Sequence, residues 1–351
     1  MKQDKVKVKV SGISATMLGC LLGRAKLSKE HSSLFYDAKA VELVEKIDYD
    51  LLTTDIFGHI FYNIFCKLNL PEFGLFTLRA KQFDEKVKAY IREHPRASVV
   101  NIGAGLDTTF YRVDNGQIHW YDLDFPAVID IRKQLLPKPD RVTYIAQSLL
   151  DPSWCKDIEY TESGVFLIAG GVFYFFDETQ VQQFFSMLAD NFSGGEIVFD
   201  AALKLDTDAG SWIDMFPPEQ RDMQRAALVE ALNDWWEKAP QDQRDKLNDM
   251  IATLKIPAKP RGKEWADIKA WWNQLSNKER EEALRALFCG GHGSWTPKDA
   301  NAITKLDNRI TVIDQFPLFK NIPRDSLGDD LRRLMDYSDE RGRSCIFHLR
   351  V

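Results

Sequence analysis

The chain of 351 residues has no long apolar run: no stretch approaches the roughly 20 consecutive apolar residues a membrane helix needs, so no membrane partner is expected. Cysteine is scarce. Cys20, Cys66, Cys155, Cys289 and Cys345 are scattered without a CxxC pair, which argues against a zinc ribbon or a disulfide framework and fits reduced thiols. The six histidines (His31, His59, His94, His119, His292, His348) show no metal-ligand spacing, so no metal is expected. A basic excess is also missing. Lys and Arg total 46 against 52 Asp and Glu, a net charge of -6, so no nucleic-acid partner is expected. The opening MKQDKVKVKV lacks the apolar core of a secretory signal, and a cytoplasmic location is the expectation. No Ser-His-Asp, Cys-His or paired-carboxylate arrangement stands out, which leaves the catalytic residues unknown.

What is present is the composition of a globular protein, 44% hydrophobic and 28% charged. Short β-rich runs alternate with helical patterns from 98 to 200, the mark of a parallel sheet with crossover helices. Strands are predicted at 98–102, 117–121, 142–146, 164–169 and 195–200, and helices near 106–112, 125–136 and 177–192. After 203 the pattern changes. Residues 210–290 read as polar helices, among them 219–238 and 264–288, broken by Pro217-Pro218 and by Pro257 and Pro260. That window holds six of the nine tryptophans and nearly balanced charge, 13 basic residues against 14 acidic. Strand patterns return at 309–315 and 343–351 around a helix near 324–340, for seven strands in all.

The first strand runs into VVNIGAGLDTTF, residues 99–110. Glycine at 103 and 105 lets the backbone turn sharply and approach a ligand where a Cβ would obstruct it. Asp122 and Asp124, in WYDLD, end the predicted second strand 17 and 19 residues beyond Gly105, where a carboxylate can accept hydrogen bonds from a ribose diol. Both a dinucleotide and an adenosine sulfonium fit these features. Position 108 is threonine, not the third glycine of a dinucleotide fingerprint, and Asp107 places negative charge where a pyrophosphate would sit. The balance favours the sulfonium.

The run Arg79–Asp84 (RAKQFD), then NIGAGLDT, WYDLDFPAVIDIRKQLL, SLLDPSW, LIAGGVFYFF and the ending QFPLFKNIPRD…LMDYSD…CIFHLRV resembles the leucine carboxyl methyltransferase family. The nearer branch is the one with tetracenomycin-type polyketide O-methyltransferases. The resemblance implies an α/β, Rossmann-like class I methyltransferase fold, with a seven-stranded, mostly parallel sheet whose last strand is antiparallel. Residues 1–205 and 291–351 would form the methyltransferase domain, with an N-terminal helical cap at about 11–95. Residues 206–290 would be a Trp-rich helical insertion serving as a lid, as a dimerisation element or only as a core of its own.

The same resemblance implies S-adenosylmethionine as cofactor, with S-adenosylhomocysteine as product. Carried over by position, Arg79 would hold the methionine carboxylate, and Gly103, Ala104 and Gly105 would form the turn beneath the amino acid part. Asp122 would bind the ribose, Ser148 and Leu149 would flank the adenine, and Arg24 would close over the cofactor from the N-terminal helix. Gly170, at the end of the fourth strand, belongs to the same site, but family members usually have an acid there. Two further departures are Ser148, where an aspartate is common, and Thr109, where an arginine usually follows GLDT. The implied activity is O-methylation of a small molecule, a carboxylic acid for preference, without metal. Methylation of a protein C-terminal carboxylate and a cofactor-holding module without chemistry stay open, as does a homo-dimer. His292 in the CGGHG loop is a weaker candidate for the site.

Overall fold

The computed structural model describes residues 5–8, 12–48, 75–159, 163–203, 216–254, 259–276, 279, 283, 295–342 and 344–351. Cys66, Cys289, His59, His292, Trp212 and most of 277–288 lie outside them. In chain order the elements are β1 (Val6–Lys7), α1 (Thr16–Glu30), α2 (Ala38–Lys46), β2 (Ile47–Asp48), α3 (Arg79–Glu93), β3 (Ser98–Ile102), α4 (Phe110–Val113), β4 (His119–Asp124), α5 (Pro126–Leu135), β5 (Val142–Ala146), β6 (Val165–Ala169), α6 (Glu178–Asn191) and β7 (Glu196–Ala202). There follow α7 (Pro218–Lys238), α8 (Gln241–Thr253), α9 (Trp265–Gln274), α10 (Ala300–Thr304), β8 (Thr311–Pro317), α11 (Asp329–Arg341) and β9 (Ser344–Arg350).

Seven strands form one sheet in the order β5-β4-β3-β6-β7-β9-β8. Pairing is parallel from β5 through β7, and β9 runs antiparallel to both β7 and β8. β3 and β6 are buried at every residue, as a central strand covered on both faces must be. The sheet reverses direction of winding between β3 and β6, and in open α/β sheets ligands bind off the carboxyl ends of the strands at such a point.

Local chemistry accounts for the boundaries. Pro126 starts α5, since its fixed φ suits the first helical turn and its missing N–H has no partner there to lose. Asp177 and Gln180 cap the start of α6 reciprocally. Gly342, at φ 59°, takes the left-handed turn that ends α11 and feeds β9. Two expectations shift. The helix predicted at 106–112 is only Phe110–Val113, because Gly103 and Gly105 at φ 62° and 47° keep the preceding segment irregular. The strand predicted at 117–121 runs His119–Asp124, three residues further.

One apolar layer packs α6 and Trp295 against the sheet through Phe173, Phe184, Phe185, Phe199 and Phe347. The opposite layer brings α3 and α11 onto the other face through Phe83, Phe166, Phe319 and Leu334. α1, α2 and α5 share a smaller cluster around Leu21, Leu43 and Ile131. The insertion has a core of its own, with Trp235, Trp236 and Trp271 packed among Leu247, Ile251 and Ile268. None of its described residues lines the cavity at the sheet edge. No described helix is long and apolar enough to cross a membrane.

Phe173 touches four aromatic rings, those of Phe184, Phe185, Phe199 and Trp295, and is 1% exposed. Phe173→Ala should therefore lower the unfolding free energy by about 3–5 kcal/mol. Urea unfolding checks this, and a loss below about 1 kcal/mol would show that the layer closes over the gap.

Candidate functional site

A cavity of about 290 Å³ opens at the carboxyl ends of β3, β4 and β6, near the lower end of small-molecule site sizes. Its walls come from the turn Gly103–Asp107, from Asp124 and Phe125 after β4, from Gln147 and Leu149 after β5, and from Gly170–Val172 after β6. The helices α1 and α3 close the remaining side with Met17, Cys20, Arg24, Arg79 and Phe83.

The glycines are where the packing leaves no room. A Cβ at Gly103 would lie 2.8 Å from Val172 Cγ2, at Gly170 2.8 Å from Phe83 Cε2, and at Gly171 2.8 Å from Arg79 Nη2. An acid at position 170 would drive Phe83 from its place. Asp200, one residue beyond the β6-paired part of β7, stands there instead. It accepts hydrogen bonds from the Gly171 amide (2.6 Å) and the Tyr174 hydroxyl (3.1 Å) and lies 3.8 Å from Arg79 Nη1.

Arg79 is the unusual side chain. Of its five N–H donors, one reaches the Cys20 sulfur at 3.2 Å, while Asp200 at 3.8 Å is an ion pair too long for a hydrogen bond. Burial works against its charge, but Asp200 and its other neighbours raise its pKa above the ordinary arginine value. The result is a charged fork on the cavity wall with most of its donors unused among the described residues. That arrangement suits a ligand carboxylate taken in bidentate fashion.

The turn itself is held by guanidinium groups. Arg132 Nη1 donates to the carbonyls of Ala104 (3.2 Å), Gly105 (2.9 Å) and Asp107 (2.9 Å), and Arg24 Nη2 donates to that of Leu106 (2.7 Å). Each guanidinium has a buried counter-ion, Asp122 for Arg132 and Asp37 for Arg24. Burial pushes Asp107 upward, but Arg24, Arg112 and the hydrogen bonds from Thr109 outweigh it and hold its carboxyl below the usual range.

The site residues expected from the sequence separate into two groups. Arg24, Arg79, Gly103, Ala104, Gly105, Leu149 and Gly170 all line the cavity. Asp122 and Ser148 do not. Asp122 is 1% exposed and spends its carboxylate on Arg132, the Asn101 amide (3.0 Å) and the Trp120 indole N–H (2.9 Å). Because β4 extends to Asp124, the end-of-strand acid is Asp124, whose oxygens accept from the Gly105 and Phe125 amides, both at 2.7 Å. Burial raises the pKa of Asp124 despite those two bonds. The signal was present in the sequence: Phe125-Pro126 forces the next helix to begin at once, so the strand ends at 124. Ser148 turns inward to cap the Leu150 amide (3.3 Å), and Gln147 takes its place on the wall. Thr109, where arginine is usual, receives Arg112 Nη2 on its hydroxyl at 2.8 Å, so a guanidinium is supplied from one turn further on. No group of metal-binding side chains occurs among the described residues.

The family model for leucine carboxyl methyltransferase matches residues 17–189. The matched segment is a little under half of the chain, and over it the chain is similar to that family. The match takes in every residue lining the cavity except Ile13, Ser14 and Thr16. Among curated relatives, the tetracenomycin polyketide synthesis O-methyltransferase TcmP of Streptomyces glaucescens is 26% identical over 197 residues, 56% of this chain and 68% of its own. The S-adenosyl-L-methionine-dependent methyltransferase dpfgK of Gibberella zeae is 25% identical over 216 residues, covering 56% and 69%. Among solved structures, a putative methyltransferase from Thermobifida fusca covers 97% of this chain and 95% of its own, at 11% identity and a TM-score of 0.49.

The two neighbouring acids should behave differently when changed. Asp122→Ala leaves Arg132 buried without its partner and should cost about 3–5 kcal/mol of stability. Asp124→Asn should cost under about 1 kcal/mol, since the amide oxygen can still accept from one of the two backbone amides. Thermal or urea unfolding of the two variants side by side measures the difference.

Proposed function

We propose that this chain is an S-adenosylmethionine-dependent O-methyltransferase whose acceptor is a small organic carboxylic acid. The observation that carries the reading is Arg79, a partly buried, charged fork with donors unused among the described residues, beside a turn in which a Cβ at Gly103 would collide with Val172. Arg79 would take the amino acid carboxylate of the cofactor, Gly103–Gly105 would lie along its chain, Asp124 would accept from the ribose diol, and Leu149 and Gln147 would border the adenine. Bound there, the cofactor supplies a methyl group on a positively charged sulfur, open to attack by an oxygen lone pair in line with the bond that breaks.

The rest of the wall favours an acceptor that arrives ionised. The ionisable side chains on it, among the described residues, are Cys20, Arg24, Arg79, Asp107 and Asp124. Arg24 is committed to Asp37 and Leu106, Asp107 to Thr109, and Asp124 to two amides. Among the described residues, both carboxylates on the wall are thus engaged with backbone amides, which leaves neither well placed to take a proton from a neutral alcohol. A carboxylate is already deprotonated near neutral pH and needs none. The apolar side chains of Ile13, Met17, Val172, Phe175 and Phe176 would exclude water from the reacting pair. Positioning, not acid–base chemistry, would then supply the rate. The site lies within one chain, in keeping with a small-molecule acceptor and a soluble protein, and a homo-dimer would be compatible with it.

Calorimetric titration with S-adenosylmethionine and S-adenosylhomocysteine tests the cofactor. Arg79→Ala should weaken binding by roughly 10- to 100-fold, the worth of a charge-assisted bidentate contact. Wild-type protein that binds neither compound would overturn the reading.

Asp124 adds a pH signature. Its carboxyl titrates above the usual 3.8, and only the ionised form accepts from both hydroxyls of a diol. Affinity should therefore be flat at neutral pH and fall as pH is lowered through that raised value, with a proton released on binding. Titrations in buffers of different ionisation enthalpy read the proton directly, and Asp124→Asn should abolish its release.

A further inference from the structure

Arg112 lies on α4, off the cavity wall, yet three segments meet at its guanidinium: α3 and the loop before α4, which both build the cavity, and the segment leading into α2. Nε and Nη2 bind both oxygens of Asp84 at 2.7 and 2.9 Å, and Asp84 sits on α3, five residues beyond Arg79. Nη1 reaches Asp37 Oδ2 at 2.8 Å and Thr108 Oγ1 at 2.9 Å, and Nη2 reaches Thr109 Oγ1 at 2.8 Å. Its face covers the ring of Phe35, 5.1 Å from the centroid.

Each contact leads onward to the cavity. Thr109 donates its hydroxyl (3.1 Å) and its amide (2.8 Å) to Asp107, which lines the wall. Asp37, fully buried just ahead of α2, also takes Arg24 Nε at 3.1 Å, and Arg24 in turn holds the Leu106 carbonyl. The loop from Gly103 to Thr109 has no helix or strand to fix it, and these side chains hold its far end while Arg132 holds the carbonyls of Ala104, Gly105 and Asp107. A buried guanidinium with five partners in a fixed fork sets geometry in a way that a single ammonium cannot.

We propose that Arg112 is a positioning residue for the cofactor site: it sets the glycine turn relative to the helix that carries Arg79, without touching the ligand. The proposal rests on the reading of the cavity as a cofactor site. Its mechanical part, the tie between turn and helices, holds whatever the ligand is.

The test compares wild type, Arg112→Met and Arg112→Lys by titration with S-adenosylhomocysteine and by amide hydrogen exchange of the ligand-free proteins. In Arg112→Met, affinity should drop by about tenfold or more, the equivalent of one charged hydrogen bond. Amides of 104–109 and of Ala40, which Asp37 caps, should exchange faster while those of Val165–Ala169 stay protected. Arg112→Lys should recover thermal stability more fully than affinity, because lysine restores the charge but not the fork. A general structural role predicts instead that stability and affinity fall and recover together.

Affinity within about twofold of wild type in Arg112→Met, less than half a kcal/mol, would overturn the proposal. So would affinity fully restored by lysine, or faster exchange spread evenly over the sheet. If the methionine variant does not fold, Thr109→Val cuts only the link from Arg112 to Asp107. It should weaken binding by about three- to tenfold, and unchanged affinity would count against the proposal. Wild-type protein that binds no S-adenosylhomocysteine would remove the cofactor reading instead, and the exchange data would still decide the tie between turn and helices.

Discussion

The segment from Gly103 to Thr109 is neither helix nor strand, because Gly103 and Gly105 take left-handed backbone angles there. Its carbonyls nevertheless lie inside the protein, where an unpaired acceptor is costly. The structure resolves this with guanidinium groups. Arg132 serves three carbonyls from below, Arg24 serves a fourth from the cap, and Arg112 takes the threonine hydroxyls at the far end. Buried cations need buried anions, so Asp37, Asp84 and Asp122 follow. Much of the polar interior around the site traces back to those few residues of irregular backbone.

The same constraint explains why the N-terminal helices stay on the sheet. α1 and α2 share a modest apolar cluster with α5, and Asp37 joins that cluster to the glycine turn through two arginines and a threonine. An ionic centre of this kind is sensitive to geometry, because each partner is desolvated and gains little if displaced. Through Asp37, the helices α1 and α2 and the turn share one network of charged hydrogen bonds.

Much of the fold was legible in the sequence because its central strands are continuous apolar runs bounded by turn residues. The ranges 98–102 and 142–146 match the observed strands, and the reversed last strand followed from a resemblance carried by several motifs in order. Lengths failed where a local pattern was ambiguous. WYDLD alternates polar and apolar residues up to its end, so the strand continues to Asp124 and buries the first acid. A helix was expected from Leu106, yet two left-handed glycines ahead of it, with Asp107, Thr108 and Thr109 poor helix formers, postpone it to Phe110. Residue by residue the insertion's tryptophans read more as a core than as a lid, and those described pack on one another and on Leu247, Ile251 and Ile268.

The sequence by itself determined the layered α/β architecture and the place of the glycine turn, since these depend on period and turn chemistry, while Arg79 was linked to the turn only through the family resemblance. Which carboxylate faces the cavity was decided only by tertiary structure. Asp122 and Asp124 are two residues apart on one strand, and their roles differ because Arg132 arrives from α5 to claim the first. Asp200 came to stand behind Gly170 through the pairing of β6 with β7, and Arg112 came to join α3, α4 and the cap through contacts up to 75 residues apart in the chain. Charge pairing of that kind has no local signature, because a buried ion is matched by whatever opposite charge the packing brings to it.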